Sequence, residues 1–262
     1  MLITEATPYD LRFRLLDVPV RVHPIFWLVT AILGFQDHNL PAVAIWIGCV
    51  FLSILVHEYG HALMARRFHG SPSILLYGLG GLCYSTGERT DAQRIAVLLA
   101  GPGAGFLLGV VVMLLYSAFF GMSFAEHLAL LGSMLGFAAD HQSLFSGVTK
   151  LRSETTVTIY ENLLWINLMW GLVNLLPIWP LDGGQIFQVV MSRTNPRSGL
   201  RHSHVVSLVT AGLLAVYFLA SDSDRYFRPM MFGMLAYMNY QVLQSLQKAP
   251  SFSTSDDDWW RR

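Results

Sequence analysis

Long apolar stretches separated by short polar ones dominate the chain. Six of them read as membrane helices: residues 25–35, 42–68, 95–120, 157–179, 205–220 and 226–246. Crossing ~30 Å of hydrocarbon takes about 20 helical residues, so the first stretch is the weakest span. Pro24 and Pro41 suit helix starts. Between the spans the period changes. Val18-Pro19-Val20-Arg21-Val22 alternates and predicts a short strand. Ser71 to Ser85 sets β-branched and aromatic residues around Gly78, Gly80 and Gly81, which predicts a hairpin. Leu128 to Ala139 is apolar but too short to span, so an interfacial or re-entrant helix is expected, with His127 and His141 as surface histidines. The pattern predicts an all-α polytopic membrane protein of about six transmembrane helices with a short membrane-associated β-hairpin. Residues 1–21 form an N-terminal segment on the membrane surface, 22–249 the six-span domain, and the polar tail 250–262 is expected to be disordered.

Composition agrees with this reading. Hydrophobic residues make up 53% of the 262, charged residues only 13%, and mean hydropathy is +0.47. A soluble domain carries roughly twice that charge. Net charge is zero, so nothing suggests a nucleic-acid partner. Cys49 and Cys83 form no CxxC and imply no disulfide framework. Met1 to Asp17 lacks the apolar core of a cleavable signal, so the first apolar segment is expected to act as an uncleaved anchor. With six spans, thirteen Lys and Arg residues fall on the side of the termini and four on the other. The excess puts both termini in the cytoplasm.

One stretch inside the second span does not belong in hydrocarbon: His57-Glu58-Tyr59-Gly60-His61. Ionisable residues there are costly unless they are paired, hydrated or metal-bound. Residues four apart share a helix face, so His57 and His61 can grip one Zn²⁺ from one side. Glu58 can act as general base on a zinc-acidified water. A catalytic zinc takes three protein ligands and leaves one position open. Asp182 is the best third candidate. It follows a backbone broken by Pro177 and Pro180 and precedes Gly183 and Gly184, at a depth matching the histidines. His202 and His204 read as interfacial and solvated, and His23 stays open as a ligand. Asn174, about two turns before Asp182, can donate to a scissile carbonyl or hold the substrate backbone. Gly101, Gly105 and Gly109, four apart, present a smooth face to a neighbouring helix, and Pro102 among them implies a kink.

The pair of motifs, His57-Glu58-x-x-His61 with Asn174-x-x-Pro177-x-x-x-Leu181-Asp182-Gly183, resembles the signature of the site-2 protease family, the M50 intramembrane zinc metalloproteases. Val20-Arg21-Val22-His23-Pro24 is similar to the segment leading into that family's first helix, Leu79-Gly80-Gly81 to its β-hairpin, and Arg94 to Pro102 to the start of its third core helix. The likeness runs from about residue 18 to 190, with the catalytic core at about 42–190. It implies His57, His61 and Asp182 as ligands of one zinc per chain, Glu58 as catalytic base and Asn174 as a substrate contact. It also implies that the hairpin, at Gly80, Gly81 and Leu82, receives an unwound transmembrane substrate as an added strand. Two departures stand out. Gly105 occupies a place where many members carry Asn, so a polar contact is missing or supplied elsewhere. The resemblance is to a minimal member, expected to work without a PDZ or nucleotide-binding module.

The resulting expectation is an intramembrane zinc endopeptidase, set in the lipid bilayer, that acts on transmembrane protein substrates near the cytoplasmic leaflet. Two rivals use the same residues differently. A metal-ion transporter or channel needs a polar path across the whole bilayer, whereas the polar groups here cluster at one depth. A catalytically silent binding partner has no need for Glu58 beside three ligands.

Overall fold

A computed structural model of the chain describes residues 6–35, 39–78, 80–87, 89–135, 137, 141–151, 153–221 and 227–248. The tail expected to be disordered, the turn at Asp37-His38, and Leu79 lie outside the described residues. The chain divides into two compact units, Met1–Asn174 and Leu175–Arg262.

The first unit begins with strands β1 (Leu11–Leu15) and β2 (Val18–Val22), then helices α1 (Pro24–Gly34) and α2 (Leu40–Arg67). Strands β3 (Pro72–Tyr77) and β4 (Gly80–Ser85) follow, then α3 (Asp91–Phe120), α4 (Phe124–Met134), α5 (His141–Lys150) and α6 (Glu154–Asn174). The expected hairpin is therefore half of a larger element. The four strands form one sheet in the order β1-β2-β3-β4. β1 pairs antiparallel with β2, β2 parallel with β3 (Val20 opposite Ile74), and β3 antiparallel with β4 (Leu75 opposite Leu82). Side chains alternate across a strand, so Val18, Val20, Val22, Ile74 and Leu76 share one face, and all five are buried. Arg12, Arg14 and Arg21 share the other face. The β1–β2 turn is Leu16-Asp17 with both residues at positive φ, 47° and 62°. That is the two-residue geometry whose twist suits a hairpin. The sheet is tied to α2 by the Tyr59 hydroxyl, which donates to Leu15 O at 2.7 Å, and by the Arg66 guanidinium, which donates to Leu16 O.

Helices α2, α3 and α8 (Gly199–Ser221) are the described helices long and apolar enough to cross a membrane. The chain is an integral membrane protein on that evidence. The other three expected spans fall short in different ways. α1 has 11 residues. α6 and α9 (Phe227–Lys248) have 21 and 22, enough length but more polar residues. α6 ends at Asn174 rather than Trp179, because Pro177 disfavours helical backbone at Leu176 and removes a donor. α3 runs as one helix through Pro102.

α2 and α3 approach closely at glycine. A Cβ on Gly60 would lie 2.1 Å from the Ala100 carbonyl oxygen. α6 joins them through Asn167, whose Nδ2 donates to Ser53 Oγ at 2.9 Å and to Leu163 O at 2.8 Å.

α4 starts four residues before the expected Leu128, at a Ser123–Glu126 capping box. His127 is not a surface residue. It is buried, hydrogen-bonded to Ser117 Oγ at 2.8 Å and to the Tyr160 hydroxyl, because α4 packs its polar first turn inward. Glu126 is buried beside it. Burial pushes its carboxyl up, but hydrogen bonds from Lys150, Ser146 and Ser123 outweigh that and hold it at about 2. A carboxyl lowered on folding stabilises the fold above its unfolded value and loses that contribution as pH falls through the folded value. Protection of α5 amides from hydrogen exchange should therefore fall as pH drops from about 4.5 toward 2. Lys150→Met should already show that loss near neutral pH. A flat acid profile for the native chain would contradict the pairing.

The second unit holds α7 (Asp182–Thr194), α8 and α9. His204 of α8, expected at an interface, is buried, and its Nδ1 lies 2.8 Å from Asn239 Oδ1 of α9. His202 is exposed, as expected.

Candidate metal centre

α2 places His57, Glu58 and His61 among its buried residues, 3%, 4% and 6% exposed. The two imidazoles stack edge to face, and their Nε2 atoms stand 3.1 Å apart. Two nitrogens at ~2.0–2.1 Å from one tetrahedral zinc would stand about 3.3 Å apart, so the pair fits that role. His61 Nδ1 lies 2.7 Å from Val97 O of α3. A carbonyl only accepts, so His61 carries its proton on Nδ1 and keeps the Nε2 lone pair for a metal.

Gly101 explains how α3 comes so near. A Cβ there would sit 2.2 Å from His61 Nε2 and 2.8 Å from His57 Nε2. The glycine stripe expected to serve helix packing thus also makes room for the two Nε2 atoms.

Glu58 points the other way along the same helix, toward the sheet. A Cβ on Gly81 would lie 2.2 Å from Glu58 Cγ and 2.5 Å from Oε1. The carboxylate therefore lies against the β4 backbone. β4 is an edge of the four-stranded sheet, with Leu82 half-exposed upon it. Gly80 of the same strand faces the Trp170 indole of α6, and Trp170 O accepts from Asn174 Nδ2 at 2.9 Å. Asn174 is buried at the end of α6. Cys83, on the same strand, is a half-buried free thiol. Burial, reinforced by the charge on Glu58 and partly offset by Arg89, pushes its thiol up to about 12.

In the second unit Asp182 is the first residue of α7 and is buried. The glycines after it are required by the fold. A Cβ on Gly183 would meet Leu175 O at 2.1 Å, and one on Gly184 the Ile178 carbonyl carbon at 2.2 Å. The incoming strand of chain thus lies flat against the first turn of α7.

His23, left open as a ligand, has a structural place. It caps α1, with Nδ1 accepting from Ile25 N at 3.1 Å, and packs on Tyr77. Gly105 is answered from another helix. Asn167 Oδ1 lies 3.6 Å from where a Gly105 Cβ would stand, and that oxygen is buried with no hydrogen-bond partner among the described residues. The amide belongs to α6 instead of α3. Sequence reasoning missed Asn167, although its place in an apolar helix, seven residues before Asn174, was a signal.

The chain is similar to several known proteins. Stage IV sporulation protein FB of Bacillus subtilis is 28% identical over 199 residues, 75% of this chain and 54% of its own length. A zinc metalloprotease of Methanocaldococcus jannaschii is 25% identical over 189 residues, 71% of this chain and 46% of its own. The chain spans about half the length of these curated relatives. In fold it is similar to a site-2 protease from M. jannaschii, with a TM-score of 0.56 at 21% identity, covering 94% of this chain and 99% of that one. The model of Peptidase family M50 matches residues 45–218, which takes in the paired histidines, Glu58, the glycines of α3 and Asp182, and the chain belongs to that family.

Proposed function

We propose that the chain is an intramembrane zinc endopeptidase that cuts transmembrane segments of other membrane proteins. The observation that carries this reading is the placement around α2: two converging Nε2 atoms on one side and a buried carboxylate against a sheet edge on the other. Zinc would be held by His57, His61 and Asp182, the ligand set that the two-motif signature implies, each of them buried. Bound zinc supplies Lewis acidity, which lowers the pKa of a water and polarises the scissile carbonyl.

The chain's own residues do the rest. Glu58 takes a proton from the attacking water and returns it to the departing amide nitrogen, so one carboxylate serves as base and then acid. His61 Nδ1, donating to Val97 O, fixes its ring for the metal. β4 is an edge of the four-stranded sheet, to which an extended peptide can add as a fifth strand. Such pairing holds the substrate unwound. A helical peptide bond keeps its carbonyl engaged, so unwinding has to precede attack. Gly80 and Gly81 let that strand lie close, and Asn174 contacts the substrate backbone.

Residues 22–249 form the membrane domain in this reading, with six spans and both termini in the cytoplasm. Thirteen of the seventeen Lys and Arg residues on one side support that orientation.

The test is reconstitution in liposomes with a model transmembrane substrate. Cleavage should appear within the apolar segment, vanish on chelation and return with zinc. Asp182→Ala should bind zinc more weakly and cut nothing. Zinc flux without cleavage would favour the transporter, and zinc binding with neither would favour a silent binding partner.

A further inference from the structure

The chain between α6 and α7 is broken at Pro177 and Pro180, and a broken backbone inside a membrane protein must find partners for its freed groups. Two side chains from α8 and α9 take them up. Ser207 Oγ accepts from Trp179 N at 3.0 Å, and its single proton is shared between Pro177 O at 3.2 Å and Ser203 O at 2.9 Å. Asn239 Nδ2 donates to Trp179 O at 2.6 Å and to Leu235 O at 2.9 Å. With both amide hydrogens committed to carbonyls, Asn239 can only accept at Oδ1, so His204 Nδ1 donates to it at 2.8 Å. The His204 ring also meets the Trp179 indole edge-on. Ser207 and Asn239 are fully buried, and His204 is 3% exposed.

The same segment is held from its own side. Leu181 N donates to Ile178 O at 2.8 Å, and Gln185 Nε2 donates to Pro180 O at 3.0 Å. Gly183 and Gly184 seat the first turn of α7 against residues 175–179. Asp182 therefore leaves a backbone pinned at Pro177 O, Ile178 O, Trp179 N and O, Pro180 O and Leu181 N, three residues beyond the one that Ser207 and Asn239 clamp.

We infer that Ser207, Asn239 and His204 are positioning residues for Asp182. α8 and α9 supply none of the three ligands, yet they set where the third one stands. The inference rests on Asp182 being a ligand. It gives α8 and α9 a defined part in setting the third ligand, through a polar clamp on the segment before it.

Cobalt serves as the probe, because its d–d absorption reports coordination geometry independently of turnover. The full chain in detergent is titrated with Co²⁺ against a competing chelator. Ser207→Ala and Asn239→Leu should each weaken binding by roughly 10–100-fold, the usual loss when a group supporting a ligand is removed, and should shift the d–d bands. Ser207→Thr, which keeps the hydroxyl, should restore both. In an Asp182→Ala background neither change should weaken binding further, since there is no third ligand left to position. Additive losses in that background would overturn the inference, as would affinities within twofold of the native chain. Native affinity in Asp182→Ala alone would overturn it differently, by removing Asp182 from the ligand set. Should Asn239→Leu fail to fold, Ser207→Ala decides the question, because it removes a single oxygen.

Discussion

Glu58→Gln should abolish cleavage while leaving zinc bound. The substitution keeps size and shape and removes only the proton acceptor. General base catalysis contributes about 10²–10⁴-fold, so the turnover number should fall at least that far, roughly 3–5 kcal/mol of barrier at 1.36 kcal/mol per tenfold. The KM for substrate should move little, because the residue acts on the proton and not on the strand-pairing edge. Metal content should stay at one per chain, since the imidazoles that face Gly101 are untouched. Two outcomes are decisive. Cleavage within a few-fold of the native rate would remove Glu58 from the chemistry, and loss of metal would make it a ligand. Glu58 also depends on the strand beside it. A methyl at Gly81 would displace the carboxylate itself, since Cγ, Cδ and Oε1 all lie within 2.5 Å of the added carbon. Gly81→Ala should therefore reproduce much of the loss with Glu58 intact.

The parts legible in the sequence are those set by local geometry. The spacing of His57 and His61 fixes their common face wherever the helix is placed, and an ionisable trio in an apolar run announces itself by its cost. The break ahead of Asp182 was legible from its neighbours, because prolines break a helix and paired glycines permit close approach. The full sheet was not. β1 alternates Leu11, Phe13 and Leu15 with Arg12 and Arg14, a period-two signal masked by the charges that make residues 1–21 look like a polar surface segment. Its turn carries Leu16-Asp17 where a hairpin of positive φ usually shows glycine or asparagine. The parallel pairing of β2 with β3 joins strands separated by two helices, and no local pattern encodes that.

Burial of polar side chains was the other blind spot. His127 and His204 flank apolar runs, so hydropathy places them at interfaces. Each is buried because a specific partner on another helix, Tyr160 or Asn239, takes its proton or gives one. The same holds for Gly105 and Asn167. A gap on one helix and an amide on another compensate, and the match exists only once α3 and α6 are packed. Recognising spans by apolarity meets a related obstacle. α6 and α9 carry the asparagines that make these contacts, and those residues lower the apolarity by which spans are recognised.

Gly101→Ala should cost the chain its metal, and a matched control on the same helix makes the result readable. Alanine is favoured over glycine in a helix interior by roughly 0.5–1 kcal/mol, so on propensity alone the substitution stabilises α3. At Gly103, which is exposed and has nothing within 4 Å of a Cβ, that gain should be all that is seen. At Gly101 the added carbon stands 2.2–2.3 Å from two atoms of the His61 ring and 2.8 Å from His57 Nε2. Neither imidazole can yield easily. His61 is held by Val97 O, and both rings lie against each other in a buried site. Either the rings turn away from a common point or α3 moves off α2, which the backbone contact between Gly60 and Ala100 resists. Both responses separate the Nε2 atoms from one metal. Zinc affinity should fall on the order of 100-fold, the upper end of losses when ligand support is disturbed, while thermal stability of the metal-free chain changes by a few degrees at most. Chelator competition and a melting curve on the two alanine variants are enough to check this. Equal zinc affinity in Gly101→Ala and Gly103→Ala would mean that the histidines do not meet a metal on the α3 side.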